Sequence, residues 1–167
     1  GVTNIGLEGM MLVGAYAGVM VARATNNVLL GVLGAIIAGG LIALVHAIVS
    51  INFQANQTVS GIAINIAALG LTNYLLFVQT SNQGVSSLKD SLRLPQVNLG
   101  PLSSIPFIGP VFFQQNVMFY IAIVILLATQ FLLFRTNIGL RIRAVGEHPH
   151  AADTAGVNVR LIRYACV

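Results

Sequence analysis

Apolar residues dominate this chain in four long runs, and short polar breaks separate them. The runs fall at about residues 5–22, 28–50, 57–78 and 117–134, each long enough to cross a hydrocarbon layer as a helix. A fifth apolar run begins at residues 161–167. Because a single span of this length satisfies its backbone in lipid only as a helix, the pattern predicts an all-α, polytopic transmembrane helical bundle.

Two longer stretches interrupt the apolar runs and fix the expected orientation. Residues 79–116 contain four of the five prolines, which excludes one continuous helix there. Residues 135–163 carry five of the eight Lys and Arg side chains. Basic loops stay on the cytoplasmic side of a membrane, so the loop 135–160 is expected to be cytoplasmic and the loop 79–116 extracytoplasmic.

The basic loop contains the pattern of one short helix. Pro149 suits a first helical position, because its fixed φ favours helix entry and its missing N–H is not needed there. Gly156 suits a left-handed helix end. The sequence therefore predicts a helix of about two turns between them.

Small residues recur at helical spacing in the first three runs. The rows of the first two runs are Met10, Gly14 and Gly18, and then Ala35, Gly39, Ala43 and Ala47. A third stripe is expected in the third run, where it would pack against another helix; its members are Ser60, Ala63, Ala67 and Gly70.

Composition places the chain in the membrane class. Charged residues are 7% and hydrophobic residues 56%, with a mean hydropathy of +0.87, whereas soluble domains carry about a quarter charged residues. The net charge of +4 is explained by the basic loop, so no nucleic-acid partner is expected. A single cysteine, Cys166, excludes an internal disulfide. The chain begins without Met and is expected to be an internal fragment of a larger protein.

Motifs for catalysis are absent from the sequence. Lys89 is the only lysine and no phosphate-binding G-x-x-x-x-G-K loop occurs, nor does H-E-x-x-H or G-x-S-x-G. The three histidines do not form a metal-ligand set. We therefore expect no catalytic residue, no metal and no cofactor in this chain.

Three segments of the chain resemble a known family. GVTNIGLEGMMLVGAYAG (1–18), ANQTVSGIAINIAALGLTNYL (55–75) and TNIGLRIRAVGEHPHAADTAGVNV (136–159) are similar to permease subunits of ABC importers of the branched-chain amino acid, simple-sugar and nucleoside group. The forms NIGLEGMM and NQTVSGIAINI look closest to the nucleoside-type permeases, including those for guanosine and other purine nucleosides.

The resemblance implies a non-catalytic subunit of an ATP-driven importer in a bacterial inner membrane, with residues 1–167 in one permease domain. Its partners would be ABC ATPase subunits, a second permease subunit in a homo- or heterodimer, and an extracytoplasmic substrate-binding protein or lipoprotein. The family's coupling helix, which contacts the ATPase, would lie in residues 139–156. The matching residues are Gly139, Arg143, Gly146, Glu147, His148, Pro149, Ala151, Ala152, Ala155 and Gly156.

The solute implied by the resemblance is a nucleoside or a simple sugar, and the family often has Asn-Pro-Glu where this chain has His148, Pro149 and His150. Sparse polar residues in the spans are the candidates for a substrate path, because amides pair with hydroxyls and base edges. They are Asn4, Glu8, Gln57 and Asn65. Each has a structural alternative: Glu8 at the membrane interface, and Asn65 in a hydrogen bond between helices.

Two other functions remain open from the sequence. One is a secondary carrier or channel driven by an ion gradient, with Glu8 or His46 carrying protons. His46 lies within a turn of the predicted end of the second span, where an imidazole is expected to reach interfacial water. The other is a structural membrane scaffold. Dependence of transport on a partner ATPase separates the importer from both.

Overall fold

A computed structural model of the protein describes residues 2–79, 96–98 and 114–167. Among these residues, four helical segments are long and apolar enough to cross a membrane. They are α1 (Leu7–Thr25), α2 (Val28–Ala47) together with the π-helical turn that follows it (Ile48–Asn52), α3 (Gln57–Gln79) and α4 (Val117–Arg135). The predicted all-α transmembrane bundle with four spans is confirmed.

The surface of these helices is apolar, as a lipid solvent requires. Large hydrophobic side chains such as Leu29, Ile36 and Phe131 are exposed along the spans. An exposed apolar surface of this extent would cause association in water, whereas lipid tails solvate it without cost.

Adjacent asparagines connect the first two helices. Asn26 ends α1 in the left-handed conformation, with φ 52°. Asn27 then caps α2, because its side-chain oxygen accepts a hydrogen bond from the Leu29 N–H at 2.9 Å. Asparagine tolerates both roles better than most residues, which explains the very short break between two spans.

The second span is longer than the apolar pattern predicts. Its helix continues past Ala47 as the π-helical turn, where the Phe53 N–H donates to the Ile48 carbonyl at 3.3 Å. The polar turn expected to begin at residue 51 therefore begins after Asn52. The wider helix satisfies the last carbonyls of the span without a separate cap.

Shorter elements complete the described part of the chain. Strands β1 (Gln96–Asn98) and β2 (Gln114–Asn116) pair antiparallel, with Val97 opposite Gln115. Most of the predicted extracytoplasmic loop 79–116, namely residues 80–95 and 99–113, lies outside the described residues. After α4 come three helices, which are α5 (Asn137–Glu147), α6 (Pro149–Thr154) and α7 (Val159–Cys166).

The chain divides into two compact units, one of Gly1–Leu92 with Ala144–Val167 and the other of Arg93–Arg143. In the first unit α1 packs on both α2 and α3, most extensively on α2. Gly14 and Gly18 lie against Ala35 of α2, as their spacing predicts. Small residues permit this close approach of two backbones.

The packing stripe predicted on α3 is wrong for this unit. Ala63, Ala67 and Gly70 are exposed, and the buried side of α3 consists of Gly61, Ala68 and Thr72. Gly61 approaches the backbone of residues 5 and 6, where an added Cβ would come within 2.9 Å of the Gly6 nitrogen. Small residues do mark the packed side of α3, but this side also carries the polar residues Asn65 and Thr72. A search for small residues alone therefore selected a different side of the helix.

Candidate functional site

Three of the predicted path residues, Asn4, Gln57 and Asn65, bind the backbone around the beginning of α1. The Asn65 side-chain oxygen accepts a hydrogen bond from the Gly9 N–H at 2.7 Å, and its amide nitrogen donates to the Ile5 carbonyl at 3.1 Å. The Gln57 side-chain oxygen accepts from the Thr3 N–H at 2.7 Å. Two amides of α3 therefore hold the backbone of residues 3–9.

This arrangement satisfies a helix end that has no cap of its own. Gly6 occupies the cap position of α1 and provides no side chain, so the third helical residue, Gly9, takes its acceptor from α3. Gln57 and Asn65 are about 12 Å apart along α3, at 1.5 Å per residue. Non-helical backbone at that depth of a span is stable only where the protein supplies its hydrogen bonds.

The remaining path candidates differ in their surroundings. The Asn4 amide nitrogen donates to the Val167 carbonyl at 3.1 Å, and its oxygen accepts from the Gly6 N–H at 3.0 Å. Glu8 is exposed in the first turn of α1. Asn4, Gln57 and Asn65 thus each form a hydrogen bond with the backbone of residues 3–9, whereas Glu8 is exposed. Their role on a substrate path stays a prediction.

His46 is fully buried, so the expectation that it reaches interfacial water is wrong. Its Nδ1 atom lies 3.0 Å from the Ser60 hydroxyl of α3. The Nε2 atom and the hydroxyl of Ser50, one turn later, are buried without a hydrogen-bond partner in the described part of the chain. The correction arises because α3 packs over this end of α2.

The junction of α4 and α5 belongs to the second unit and depends on two small residues. The Thr136 hydroxyl donates to the Leu132 carbonyl at 2.6 Å and accepts from the Gly139 N–H at 3.2 Å, so it caps the start of α5. Gly139 touches the last turn of α4, where a Cβ would collide with the carbonyl oxygens of Leu132 and Leu133. Farther along α5, the Arg143 guanidinium lies 5.3 Å from the centre of the Phe134 ring.

Gly139→Ala is expected to separate the first turn of α5 from α4, because the colliding atoms are backbone and cannot rotate away. We expect an overpacking cost of about 1–3 kcal/mol, which lowers the apparent Tm by roughly 2–12 °C for a chain of this length. Trypsin should also cleave faster at Arg141 and Arg143. Gly146→Ala is the matched control, because a Cβ there meets nothing within 4 Å; equal behaviour of both variants would contradict the argument.

The short helix predicted in the basic loop is present as α6. Pro149 is its first residue and His148 its cap residue. At the other end, Gly156 has φ +82°, the Gly156 N–H donates to the Asp153 carbonyl at 2.9 Å, and the Val157 N–H donates to the Ala152 carbonyl at 3.0 Å. This pair of bonds is the Schellman motif, which requires a left-handed residue at the glycine.

The residues of α6 face three directions. Ala152 is buried, with 6% of its surface exposed, and therefore is not available to a partner protein in this structure. Ala151 and Ala155, one turn apart, are exposed on another side. Gly146 and Glu147, at the end of α5, are also exposed. Of the three alanines predicted for the coupling segment, Ala151 and Ala155 are therefore exposed and Ala152 is buried.

A third side of α6 borders a cleft of about 700 Å³, which we name the α6–α7 cleft. Gln54 of the α2–α3 turn lines it, and its φ of 51° is unusual for a residue other than glycine. The remaining lining residues come from α6, the following turn and α7. They are Pro149, His150, Asp153, Gly156, Val157, Asn158, Val159, Arg160 and Arg163.

Comparison with known proteins gives one family over the whole chain. The family described as "Branched-chain amino acid transport system / permease component" matches residues 1–167. The chain belongs to this permease family. The resemblance found in the three sequence segments is confirmed by this match.

The permease is similar to several curated ABC transporter permeases. It is 40% identical to a guanosine ABC transporter permease protein of Bacillus subtilis over 98% of this chain and 53% of that protein. It is 37% identical to a nucleoside ABC transporter permease protein of Lactococcus lactis, over 100% and 54%. A putative glucose ABC transporter permease protein of Haloferax volcanii is 39% identical, over 100% and 50%.

The permease chain thus spans about half the length of these relatives. No solved structure matches it. In the described ranges of the permease, no group of three or more His, Cys, Asp or Glu residues is arranged to hold a metal ion.

Sequence reasoning missed several residues that organise the permease. Thr136 and Ser60 were not singled out for the cap and for the contact with His46. Gly61 follows the spacing of Asn65, Ala68 and Thr72 on one side of a helix, so this periodicity could have found the packed face. Nothing in the sequence indicated that Gln54 lines the α6–α7 cleft, because this position depends on how α6 and α7 pack near the α2–α3 turn.

Proposed function

We propose that this permease is the membrane-spanning subunit of an ATP-driven importer for a nucleoside or a simple sugar, in a bacterial inner membrane. The observation that carries the proposal is the match of the family and of nucleoside permeases over nearly the entire chain. The glucose permease relative keeps a sugar within the proposed solute class. ATP hydrolysis then belongs to a partner subunit.

The proposed arrangement places residues 135–160 in the cytoplasm and residues 79–116 outside. Five basic side chains within residues 135–163 support this orientation. The α6–α7 cleft supports it too, because Gln54 lines the cleft together with α6 and the start of α7. The α2–α3 turn and the basic loop therefore lie at the same end of the first unit, as an even number of crossings between them requires.

Coupling to the ATPase is proposed to occur through α6. Its exposed alanines leave a low surface over which a groove of a partner can close, and Pro149 and Gly156 define its two ends. A second permease subunit and an extracytoplasmic binding protein complete the proposed importer. The wider coupling segment of residues 139–156 would position α6, with Gly139 fixing the beginning of α5.

The test is Ala155→Arg in the importer reconstituted with its ATPase and binding protein. The substitution is on an exposed side, so the permease should insert and remain folded. Solute-stimulated ATP hydrolysis should fall about tenfold or more, because a guanidinium would have to be desolvated in the interface. Ala152→Arg is a poor choice, since that residue is buried and the variant would fail to fold.

Ala55→Arg is the matched control, since it adds the same charge at an exposed alanine of the α2–α3 turn, outside residues 139–156. Wild-type stimulation in the Ala155→Arg protein would contradict coupling through α6. Uptake that stops with an uncoupler and continues without the ATPase would instead favour the gradient-driven carrier.

A further inference from the structure

The α6–α7 cleft is lined by two arginine side chains whose partners are missing from the described residues. Arg160 and Arg163 are three residues apart and line it together, and no ion pair or hydrogen bond of either side chain occurs among the described residues. The Arg163 Nε atom is buried and has no hydrogen-bond partner among the described residues. Guanidinium groups without acceptors are costly when they are shielded from water, so an anion held between the two arginines would be stabilising.

Other lining groups fit a phosphate better than a bare carboxylate. The Asn158 oxygen caps α7 by accepting from the Leu161 N–H at 3.1 Å, which leaves its amide nitrogen to donate. Gln54 and His150 add two more side chains that donate hydrogen bonds. A phosphate offers several oxygens to such a converging set, and arginine matches it in a bidentate geometry.

The place of the cleft in the fold indicates where the phosphate comes from. Gln54 lies between two candidate spans, since one ends at Asn52 and the next begins at Gln57. The cleft is therefore at the end of the spans, where lipid headgroups lie. Phe53, 75% exposed, and Leu161, 64% exposed, are the sequence neighbours of the lining residues Gln54 and Arg160 and present apolar surface.

We propose that the α6–α7 cleft binds the headgroup phosphate of an anionic phospholipid. Arg160 and Arg163 hold the phosphate oxygens, while Phe53 and Leu161 contact the upper part of the acyl chains. Asp153, which lines the same cleft, accepts a hydrogen bond from a headgroup hydroxyl such as those of glycerol. The proposal requires only that this end of the spans lies at the membrane surface. It does not depend on which solute is transported or on coupling through Ala151 and Ala155.

The experiment measures lipid binding by the protein purified in a neutral detergent. The apparent Tm is measured at increasing concentrations of short-chain phosphatidylglycerol, because a ligand that binds the folded state raises the Tm. Wild type should be stabilised, and the double variant Arg160→Gln, Arg163→Gln should bind about tenfold more weakly or worse. Arg141→Gln should bind like wild type, since this exposed arginine of α5 is not among the residues that line the cleft.

Parallel titrations with phosphatidylcholine, inorganic phosphate and AMP separate the sources of the anion. All three should stabilise the protein less than phosphatidylglycerol. Equal stabilisation by phosphate or AMP would overturn the lipid assignment, and equal stabilisation by phosphatidylcholine would overturn the preference for an anionic headgroup. Loss of ATPase co-purification by the double variant in lipid-free detergent would also overturn it, because the arginines would then bind the partner protein.

Discussion

Gly31→Val is expected to destabilise the protein strongly, because α1 and α2 are in backbone contact at this glycine. An added Cβ at Gly31 would lie 2.6 Å from the Ala22 Cβ and 2.7 Å from the Gly18 carbonyl oxygen. Neither atom is at the end of a flexible side chain, so relief requires α1 to move away from α2. Overpacking of this kind costs about 1–3 kcal/mol, and valine should reach the upper part of that range.

The measurement is the fraction of protein that remains monodisperse in detergent after heating, which gives an apparent Tm. A decrease of about 4–12 °C relative to wild type is expected for a loss of about 2–3 kcal/mol. Gly40→Val is the matched control on the same helix, because Gly40 is exposed and a Cβ there meets nothing within 4 Å. A Gly31→Val protein as stable as Gly40→Val would show that α1 and α2 are not packed at this contact.

Asn65→Leu is expected to have the second largest effect, through the beginning of α1. The substitution leaves the buried Gly9 N–H without its acceptor and removes the donor to the Ile5 carbonyl. An orphaned buried donor costs about 1–3 kcal/mol in proteins, although hydrogen bonds between transmembrane helices average nearer to about 0.6 kcal/mol. We expect about 2 kcal/mol, because the Gly9 N–H belongs to a helix end that has no other cap.

The Asn65→Leu protein should have an apparent Tm lowered in proportion to this loss of stability. In addition, the segment before α1 should be cleaved faster by proteases. Asn73→Leu, on the same helix, is the control, because Asn73 is exposed and an apolar side chain is favoured where lipid surrounds it. If Asn65→Leu keeps full stability but loses uptake, Asn65 acts on the substrate path and its bonds to α1 contribute little.

Much of the architecture was readable from sequence because lipid imposes a simple rule on the chain. The four apolar runs predicted the four spans, since a span must be long, apolar and helical to satisfy its backbone. Local chemistry was equally informative in the basic loop, where Pro149 and Gly156 predicted both ends of α6. These signals are local, so they need no knowledge of which helices are neighbours.

The candidate site was predicted less well, because its residues depend on neighbours distant in sequence. The sequence showed that Asn65 needs hydrogen-bond partners. It did not show that these partners are residues 5 and 9, which are 60 and 56 positions away in the chain. The same limit explains Ala152, which a single helix presents as one of three similar alanines and which only packing buries.

The sequence by itself determined that lipid surrounds the spans, where the spans begin and end to within a few residues, the family, and the short helix of the basic loop. These properties follow from hydropathy, motif and backbone preference along consecutive residues. The tertiary structure alone decided which side of α3 faces α1, that His46 is buried, and that Gln54 meets Arg160 and Arg163 in one cleft. Each of these features depends on which surfaces of separate helices come together. In a membrane, a helix face that packs on another helix and a face that contacts lipid are both apolar, so the sequence distinguishes them poorly.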